Sequence, residues 1–365
     1  MSKVKFFSTL PKRFQRTNYP KYAYGSWIYT NNKQYLDFTS GLGNFLLGHN
    51  NKYININIIN HLNTCKNYPH EIFNINSYSS LLTPQILSFL PNNKYDSIKY
   101  VSCDNVLNKA IELSKHFNGK NKVIHFIGEK NANKDIIYCQ ENMDQFNKIL
   151  EKNQNNVSCI IIESNIENDV FSLNQQFVLE LKKICKDNNI LLISNETTSG
   201  LGRGDKYRNV EPDIILFGQS ISNGYPLSSI ISNKNITKYF NNISPEKSLT
   251  SLSFIAANST LDIINKENLI YNSKNMGHYL KKELINIPYT KKINQNELFI
   301  GIEYFFSKDN PSKVIDLVNK LDDNGIIVLP SGKNSEFISI LPPLNTNYKE
   351  CDIFLEKYCE IMKNI

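Results

Sequence analysis

The residues of this sequence that could do chemistry stand at the ends of short apolar runs. Residues 213–217 (DIILF) are typical of a buried strand, and Gln219 follows directly in GQSISNGYP. In an α/β sheet, ligands and catalytic groups gather at the carboxyl ends of the strands. The amide of Gln219 donates and accepts hydrogen bonds, but it is neither a nucleophile nor a base. The pattern therefore predicts a polar site whose central residue performs no covalent or proton-transfer step.

Other reactive residue types form no recognisable cluster. The seven cysteines are scattered and include no CxxC pair, which disfavours a disulfide framework or a zinc site. The histidines show neither HxH nor HExxH spacing, so no metal site is predicted. Cys103 has no His or Lys close by in sequence to activate its thiol, and we expect it to pack rather than react.

Charge and hydropathy exclude two further classes of protein. The formal net charge of +7 comes without a basic stripe interleaved with aromatic residues, so we expect no nucleic-acid partner and no DNA readout. No apolar run approaches the ~18 residues that a membrane span needs, so no transmembrane segment is expected.

The first residues, MSKVKFFSTLPKRFQR, are basic, hydroxylated and free of acids. Phe7, Leu10 and Phe14 fall on one helical face, as in a mitochondrial import segment. Pro11 interrupts that helix, and a plain basic tail is the alternative. The segment therefore predicts a mitochondrial location, with the cytoplasm as the alternative.

Alternating strands and helices position the strand ends. Between about 98 and 235, apolar β-branched runs without polar alternation predict strands that are covered on both faces. Helical stretches lie between them, most clearly at 105–117 and 175–188, and predict a mostly parallel seven-stranded sheet with crossover helices. The predicted strands are 98–103, 122–127, 135–139, 157–164, 190–196, 213–218 and 227–233.

The two ends of the chain predict a smaller α+β domain. A hairpin is expected at 26–39 and a helix at 52–64, with a second helical stretch at 78–91. The C-terminal part predicts helices and strands at 266–286, 298–306, 311–323, 326–330, 336–344 and 349–363. We expect four segments: a basic N-terminal segment (1–20), the N-terminal part of the small domain (21–90), a large sheet domain (91–260) and a C-terminal α+β domain (261–365).

Several motifs together resemble the class III (ornithine/acetylornithine/4-aminobutyrate-type) aminotransferases, which are fold-type I pyridoxal-phosphate (PLP) enzymes. Residues 25–49 are similar to the family's opening hairpin and glycine loop, and LLISNETTSGLGRG (191–204) to its LLI-DEVQTG-GRTG. EPDIILFGQSISNGYPLSSII (211–231) resembles PDI…K…GG-P-GA, and SILPPL (339–344) a recurrent strand. The resemblance covers nearly the whole chain and implies the PLP-dependent transferase fold.

The departures from the family fall on its chemistry. Its lysine after PDI, which forms the Schiff base with the cofactor and moves the substrate proton, corresponds to Gln219. Its aspartate, which keeps the pyridine nitrogen protonated, corresponds to Asn195. Its phosphate loop NSGAEANE aligns with residues 101–108, where Ser102 remains but Cys103 and Asp104 replace glycine and alanine.

Other cofactor positions are similarly altered. The EPIQGEGG stretch keeps only Glu163, and the segment with the ring-stacking aromatic has no counterpart. Thr250 corresponds to the phosphate-binding threonine that the family takes from the partner subunit, if a deletion is allowed. Ser102, Cys103, Asp104, Asn195, Gln219 and Thr250 are thus predicted as vestigial cofactor positions, without a catalytic residue among them.

These changes lead to two hypotheses. The first is a catalytically inactive relative, a pseudoenzyme without cofactor, in which Gln219 bonds to Asn195 or Thr198. The alternative is an active PLP-dependent aminotransferase of the ornithine/acetylornithine/4-aminobutyrate type, or one that holds PLP without a covalent bond.

The resemblance also implies an oligomer, because family members build each active site from two subunits. Residues 41–75 and 244–254 correspond to the family's interface regions. Their apolar residues are Phe45, Leu46, Leu47, Tyr68, Phe73, Leu249, Leu252 and Phe254. We expect a homodimer or one structural subunit of a larger complex.

Overall fold

The computed structural model describes residues 20–64, 75–91, 94–126, 135–153, 155–163, 173–203, 210–243, 249–307, 310–332 and 334–364. They divide into two compact units. The sheet unit comprises residues 52–270, and the terminal unit combines the described residues of 1–51 and 271–365. No described helix is both long and apolar enough to cross a bilayer.

The predicted strands and helices occur in the expected order, and the structure adds several elements. The strands are β1 (Tyr22–Tyr24), β2 (Trp27–Tyr29), β3 (Gln34–Asp37), β4 (Ser97–Val101), β5 (Lys122–Phe126), β6 (Ile136–Cys139), β7 (Val157–Glu163), β8 (Leu191–Glu196), β9 (Ile214–Phe217), β10 (Ser228–Ser232), β11 (Thr290–Asn296), β12 (Phe299–Tyr304), β13 (Ile326–Ile327), β14 (Leu329–Ser331) and β15 (Phe337–Ile340). The helices are α1 (Lys52–Thr64), α2 (Ile75–Ser88), α3 (Val106–Asn118), α4 (Met143–Lys152), α5 (Gln175–Asp187), α6 (Lys234–Thr237), α7 (Ser251–Lys266), α8 (Leu269–Leu284), α9 (Ser312–Asp323) and α10 (Tyr348–Met362). The additions include β1, α6, β11 and α7.

The sheet unit is built on one sheet of seven described strands, in the order β4-β10-β9-β8-β7-β5-β6. Strand β10 runs antiparallel to both of its neighbours, β4 and β9. The pairs from β9 to β6 are all parallel. The predicted α/β fold, with a mostly parallel seven-stranded sheet and crossover helices, is confirmed.

Strand β7 shows why the sequence lacks polar alternation. Its first six residues are all buried. Cys159 and Ile161 belong to the apolar cluster that includes α3, whereas Ile160 and Ile162 belong to the cluster that includes α4 and α5. Because helices cover both faces of the sheet, successive side chains of β7 must both be apolar.

The terminal unit contains two four-stranded sheets. The predicted hairpin is confirmed, since β2 pairs with β3, and β13 then pairs in parallel with β3. The second sheet has the order β11-β12-β15-β14 and is antiparallel. Helices α8, α9 and α10 bury their apolar faces in the same core, where the hydroxyls of Tyr304 and Tyr358 lie 2.6 Å apart.

Candidate functional site

The candidate site lies at the carboxyl edge of the parallel strands in the sheet unit. Strand register places Glu163 at the end of β7 opposite Asn195 near the end of β8. The next pairing joins Glu196 to Phe217, the last residue of β9, so Gln219 follows two residues beyond that edge. Because β10 is antiparallel, its first residue, Ser228, lies at this edge too.

A chain of hydrogen bonds crosses three of these strand ends. His125 Nε2 on β5 lies 3.2 Å from Glu163 Oε1 on β7. Asn195 Nδ2 on β8 donates to the same carboxylate oxygen at 3.0 Å. Thr197 Oγ1 donates to Asn195 Oδ1 at 2.9 Å, and the Thr197 backbone N–H lies within 3.4 Å of that oxygen. Asn195 is therefore held at both ends of its amide.

Gln219 opens a 3-10 turn (Gln219–Ser222) behind Gly218. A Cβ on Gly218 would lie 2.6 Å from the Thr197 carbonyl oxygen, so only glycine allows this approach of the two strand ends. The side-chain amide of Gln219 is half-buried and makes no hydrogen bond to any described residue. The predicted bond to Asn195 or Thr198 is wrong, since the Asn195 amide bonds to Glu163 and Thr197 and the Gln219 amide to no described residue.

The predicted phosphate loop becomes a second 3-10 turn, Cys103–Asn105, that leads into α3. Neither Ser102 nor Asn105 caps this turn or the helix with its side chain. The Ser102 hydroxyl makes no hydrogen bond to a described residue, and the Cys103 side chain is half-buried. Asp104 lies within the turn. A helix start without a side-chain cap leaves backbone N–H donors for an anion.

Three further hydroxyls at this edge are buried without a partner among the described residues. The Oγ atoms of Ser220, Ser228 and Ser229 have no hydrogen bond, and each side chain is fully buried. Ser228 and Ser229 stand where the family has GA. Since buried polar groups are nearly always hydrogen-bonded, these hydroxyls suit a site that receives a polar ligand.

Thr250 has a structural role that the sequence does not show. It is the N-cap of α7, where its Oγ1 accepts from the Ser253 backbone N–H and lies 3.1 Å from Ser253 Oγ. Helix α7 packs against the Gln219–Ser222 turn. A contact of Thr250 with a phosphate in a neighbouring subunit stays a prediction.

Comparison with known proteins decides the family. The model of the aminotransferase class-III family matches residues 108–362 of this chain. The chain belongs to the class III aminotransferase family.

Curated relatives agree with this assignment along most of the chain. The acetylornithine aminotransferase of Bacillus subtilis (strain 168) is 26% identical over an alignment of 364 positions, which covers 90% of this chain and 91% of that protein. The glutamate-1-semialdehyde 2,1-aminomutase of Wigglesworthia glossinidia brevipalpis is 25% identical over an alignment of 405 positions, which covers 94% of this chain and 91% of that protein.

Solved structures share the fold at lower identity. The acetylornithine aminotransferase from Elizabethkingia anophelis superposes with a TM-score of 0.81 at 20% identity, covering 99% of both chains. An omega transaminase from Pseudomonas jessenii in complex with PMP superposes with a TM-score of 0.84 at 16% identity, covering 97% of this chain and 94% of that one. These neighbours confirm the fold-type I architecture of this class III aminotransferase.

The expectation that the chain holds no cofactor is wrong. The family match and the neighbour that contains PMP point to a vitamin B6 phosphate instead. At its phosphate end the site offers the Ser102 hydroxyl, which bonds to no described residue, and a helix start without a side-chain cap. It does not fit a covalent bond, because the connection Gly218–Leu227 between β9 and β10 contains no lysine.

Two site features escape prediction from the sequence. The partner of Asn195 is Glu163, which is bonded to His125 rather than to Glu196. The Glu196 carboxylate instead accepts from Ser194 and Ser199. The only signal for His125 was a polar residue inside the apolar run KVIHF (122–126).

Proposed function

We propose that this class III aminotransferase binds a phosphorylated B6 vitamer without a covalent bond and does not carry out lysine-dependent amino-group transfer. The observation that supports the proposal is Gln219 at the family's lysine position, in a β9–β10 connection without any lysine. An amide nitrogen does not condense with an aldehyde, and it does not accept a proton at neutral pH. The chain therefore lacks both steps for which the family uses its amine.

The remaining residues support binding rather than turnover. The uncapped N–H groups at the start of α3 and the Ser102 hydroxyl would hold the phosphate. Asn195, locked by Glu163 and Thr197, would face the ring nitrogen at the position of the family's aspartate. When bound, the vitamer would supply a conjugated ring that can withdraw electrons from a substrate. Loss of a positioned general base alone slows proton transfer by roughly 10²–10⁴-fold.

The second candidate function is an active aminotransferase. It is favoured by the names of the relatives, which include acetylornithine and ornithine aminotransferases. The chemistry of Gln219 opposes it. Amino-group transfer from ornithine, acetylornithine or 4-aminobutyrate by the purified chain, at a rate that follows added PLP, would favour the second candidate.

Substitution at position 219 tests the proposed function. Gln219→Lys restores an amine at the end of β9, and Gln219→Arg adds the same charge without a nucleophilic amine. With PLP and borohydride, we expect a pyridoxyl adduct at residue 219 in the lysine variant alone. Equal labelling of the arginine variant, or an active wild-type chain labelled on another lysine, would contradict the proposal.

We also propose that a second copy of the chain covers an apolar face in the sheet unit. Helix α1 buries Ile54 and Ile58, yet Ile56 and Ile59 are 44% and 55% exposed. Leu62 on α1 and Leu81 on α2 are exposed as well. Several exposed apolar side chains on neighbouring turns of one helix favour association.

The interface residues predicted from the sequence need correction. Leu46, Leu47 and Phe254 are fully buried within the chain, so they are packing residues. Tyr68 and Phe73 lie outside the described residues. The same holds for the basic N-terminal segment up to residue 19, so a mitochondrial location remains a proposal that import of the full-length chain would test.

Light scattering of the full-length chain tests the association. We expect a dimer that dissociates when Ile56→Glu and Ile59→Glu are combined. Leu179→Glu on α5 changes an equally exposed apolar residue outside this face and should leave the dimer intact. A wild-type monomer, or a dimer indifferent to both changes, would refute this interface.

A further inference from the structure

The contacts of Asn195 fix which end of its amide is the donor. The group that faces Asn195 from β7 is the Glu163 carboxylate, 3.0 Å away, and an ionised carboxylate only accepts hydrogen bonds. The group on the other side is the Thr197 backbone N–H, 3.4 Å away, which only donates. Nδ2 must therefore face Glu163, and Oδ1 must face Thr197.

After these bonds, the oxygen and the nitrogen of the Asn195 amide differ in their remaining hydrogen-bonding capacity. Its Oδ1 accepts from both the hydroxyl and the backbone N–H of Thr197, which fills two lone-pair positions. Its Nδ2 gives one hydrogen to Glu163 and keeps a second. The unused hydrogen-bonding capacity of Asn195 is thus one N–H donor.

Two carboxylates lie near Asn195, one on β7 and one on β8. Glu163 Oε1 takes the bonds from both Asn195 and His125, which face it from β8 and β5. The next carboxylate on β8, Glu196, is 1% exposed and is bonded to Ser194 and Ser199. Both carboxylates thus have hydrogen-bond partners within the protein, whereas position 195 itself carries an uncharged amide.

A pyridine nitrogen has two protonation states with opposite needs. Protonated, it donates a hydrogen bond and favours a nearby anion. Unprotonated, it accepts a hydrogen bond and needs no charge. The remaining Nδ2 hydrogen of Asn195 can be donated to an unprotonated ring nitrogen. A protonated ring nitrogen would instead point its own N–H at the Asn195 N–H.

We propose, on the basis of the function proposed above, that Asn195 selects the unprotonated ring nitrogen of a bound B6 vitamer. Asn195 donates its second Nδ2 hydrogen to that nitrogen, and Glu163 and Thr197 prevent the amide from turning its oxygen inward. A neutral ring withdraws electrons less than a protonated ring. The site therefore weakens the electron-withdrawing power of the vitamer, independently of the missing lysine.

The probe is pyridoxamine phosphate labelled with ¹⁵N at the ring nitrogen, which needs no lysine to bind. The ¹⁵N resonance of the free probe, recorded above and below the ring-nitrogen pKa, gives the unprotonated and protonated reference positions. The resonance of the probe bound to the full-length chain is then recorded at neutral pH. We expect the bound resonance of the wild-type chain at the unprotonated reference position. A bound resonance at the protonated position would overturn the inference without any variant.

A charge exchange between β7 and β8 gives the matched comparison. The double variant Glu163→Gln with Asn195→Asp moves the carboxylate by one strand and keeps the net charge and the hydrogen bond. We expect its bound resonance to move to the protonated position, while Glu163→Gln alone stays at the unprotonated one. A double variant that matches the wild type would overturn the inference.

Equilibrium dialysis of the same probe separates the two proposals. Saturable binding with a protonated ring would contradict the role of Asn195 and leave the proposed function standing. Absence of binding to the folded wild-type chain would overturn both proposals.

Discussion

Asp37 lies at the end of β3 in the terminal unit and anchors the glycine loop that follows it. Its Oδ1 accepts from the Thr39 backbone N–H at 2.9 Å and from the Thr39 hydroxyl at 2.5 Å. Its Oδ2 lies 2.8 Å from His49 Nε2 and accepts from the Gly41 N–H at 3.3 Å. The side chain is 2% exposed. Replacing one of its oxygens with a donor should therefore loosen the whole loop.

Asp37→Asn is the perturbation that tests this arrangement. The amide keeps an acceptor for Thr39 but points a donor at His49 and Gly41. Two hydrogen bonds to a charged acceptor are lost, at roughly 1.5–3 kcal/mol for a strong one and less for the longer Gly41 contact. We expect the free energy of unfolding at neutral pH to fall by about 2–4 kcal/mol.

The pH dependence of this loss has a definite sign. Burial raises the pKa of Asp37, but the hydrogen bond and charge of His49 and the bonds from Thr39 outweigh it and leave the pKa below its ordinary value of 3.8. A carboxyl whose pKa is lower in the folded state stabilises the fold above the unfolded pKa. The difference in unfolding free energy between wild type and Asp37→Asn should therefore narrow as the pH falls below 3.8.

Urea unfolding at several pH values, followed by circular dichroism, measures this difference. Asp323→Asn, at an exposed carboxyl in the same unit, is the control and should change stability by less than about 0.5 kcal/mol. The reasoning would be refuted if Asp37→Asn lost no more unfolding free energy than the control, or if its difference from the wild type widened as the pH falls below 3.8.

Three further substitutions test contacts of the sheet unit by the same unfolding measurement. Gly218→Ala puts a Cβ 2.6 Å from the Thr197 carbonyl oxygen and should cost about 1–3 kcal/mol; a neutral effect would show that the strand ends can separate freely. Thr250→Ala removes the hydroxyl that accepts from the Ser253 N–H and should cost about 1 kcal/mol, whereas Thr250→Ser keeps a capping hydroxyl and should cost much less. Phe146→Ala empties a fully buried ring position and should cost about 3–5 kcal/mol; a cost under 1 kcal/mol would contradict its place in the core.

The strands that were predicted correctly share a local physical cause. β7 and β8 are buried on both faces, and their β-branched residues have no polar alternation that a helix or loop would show. The hairpin β2–β3 was predictable for a related reason, since the short polar turn between two aromatic-rich runs suits strands.

Two elements that were not predicted, β11 and α7, lack such local signals in the sequence. β11 is an edge strand with Lys291 and Lys292 exposed, and its sequence TKKINQN has no apolar face to count. α7 is buried over most of its surface, so its small and apolar residues show no helical periodicity. In both cases tertiary packing determines the element, and sequence periodicity does not record it.

In the candidate site too, some features can be predicted from the sequence and others cannot. Gln219 and Asn195 were predicted because single residues differ from a motif. The contacts of Asn195 were not, because Glu163 is 32 residues from Asn195 and His125 is 38 residues from Glu163, and only sheet register joins them. The expectation of a site without cofactor rested on the altered residues at several cofactor positions, and the family match and the neighbour with PMP overturned it.

The central claim is that the chain holds a B6 phosphate without a covalent bond and without lysine-dependent transfer. The most direct measurement combines equilibrium dialysis of wild-type protein against PLP with intact-mass analysis after borohydride reduction of the same sample. We predict saturable binding that is lost on dialysis against buffer, and no stoichiometric pyridoxyl adduct. A stoichiometric adduct on one lysine of the sheet unit, formed in parallel with amino-group transfer, would contradict the account.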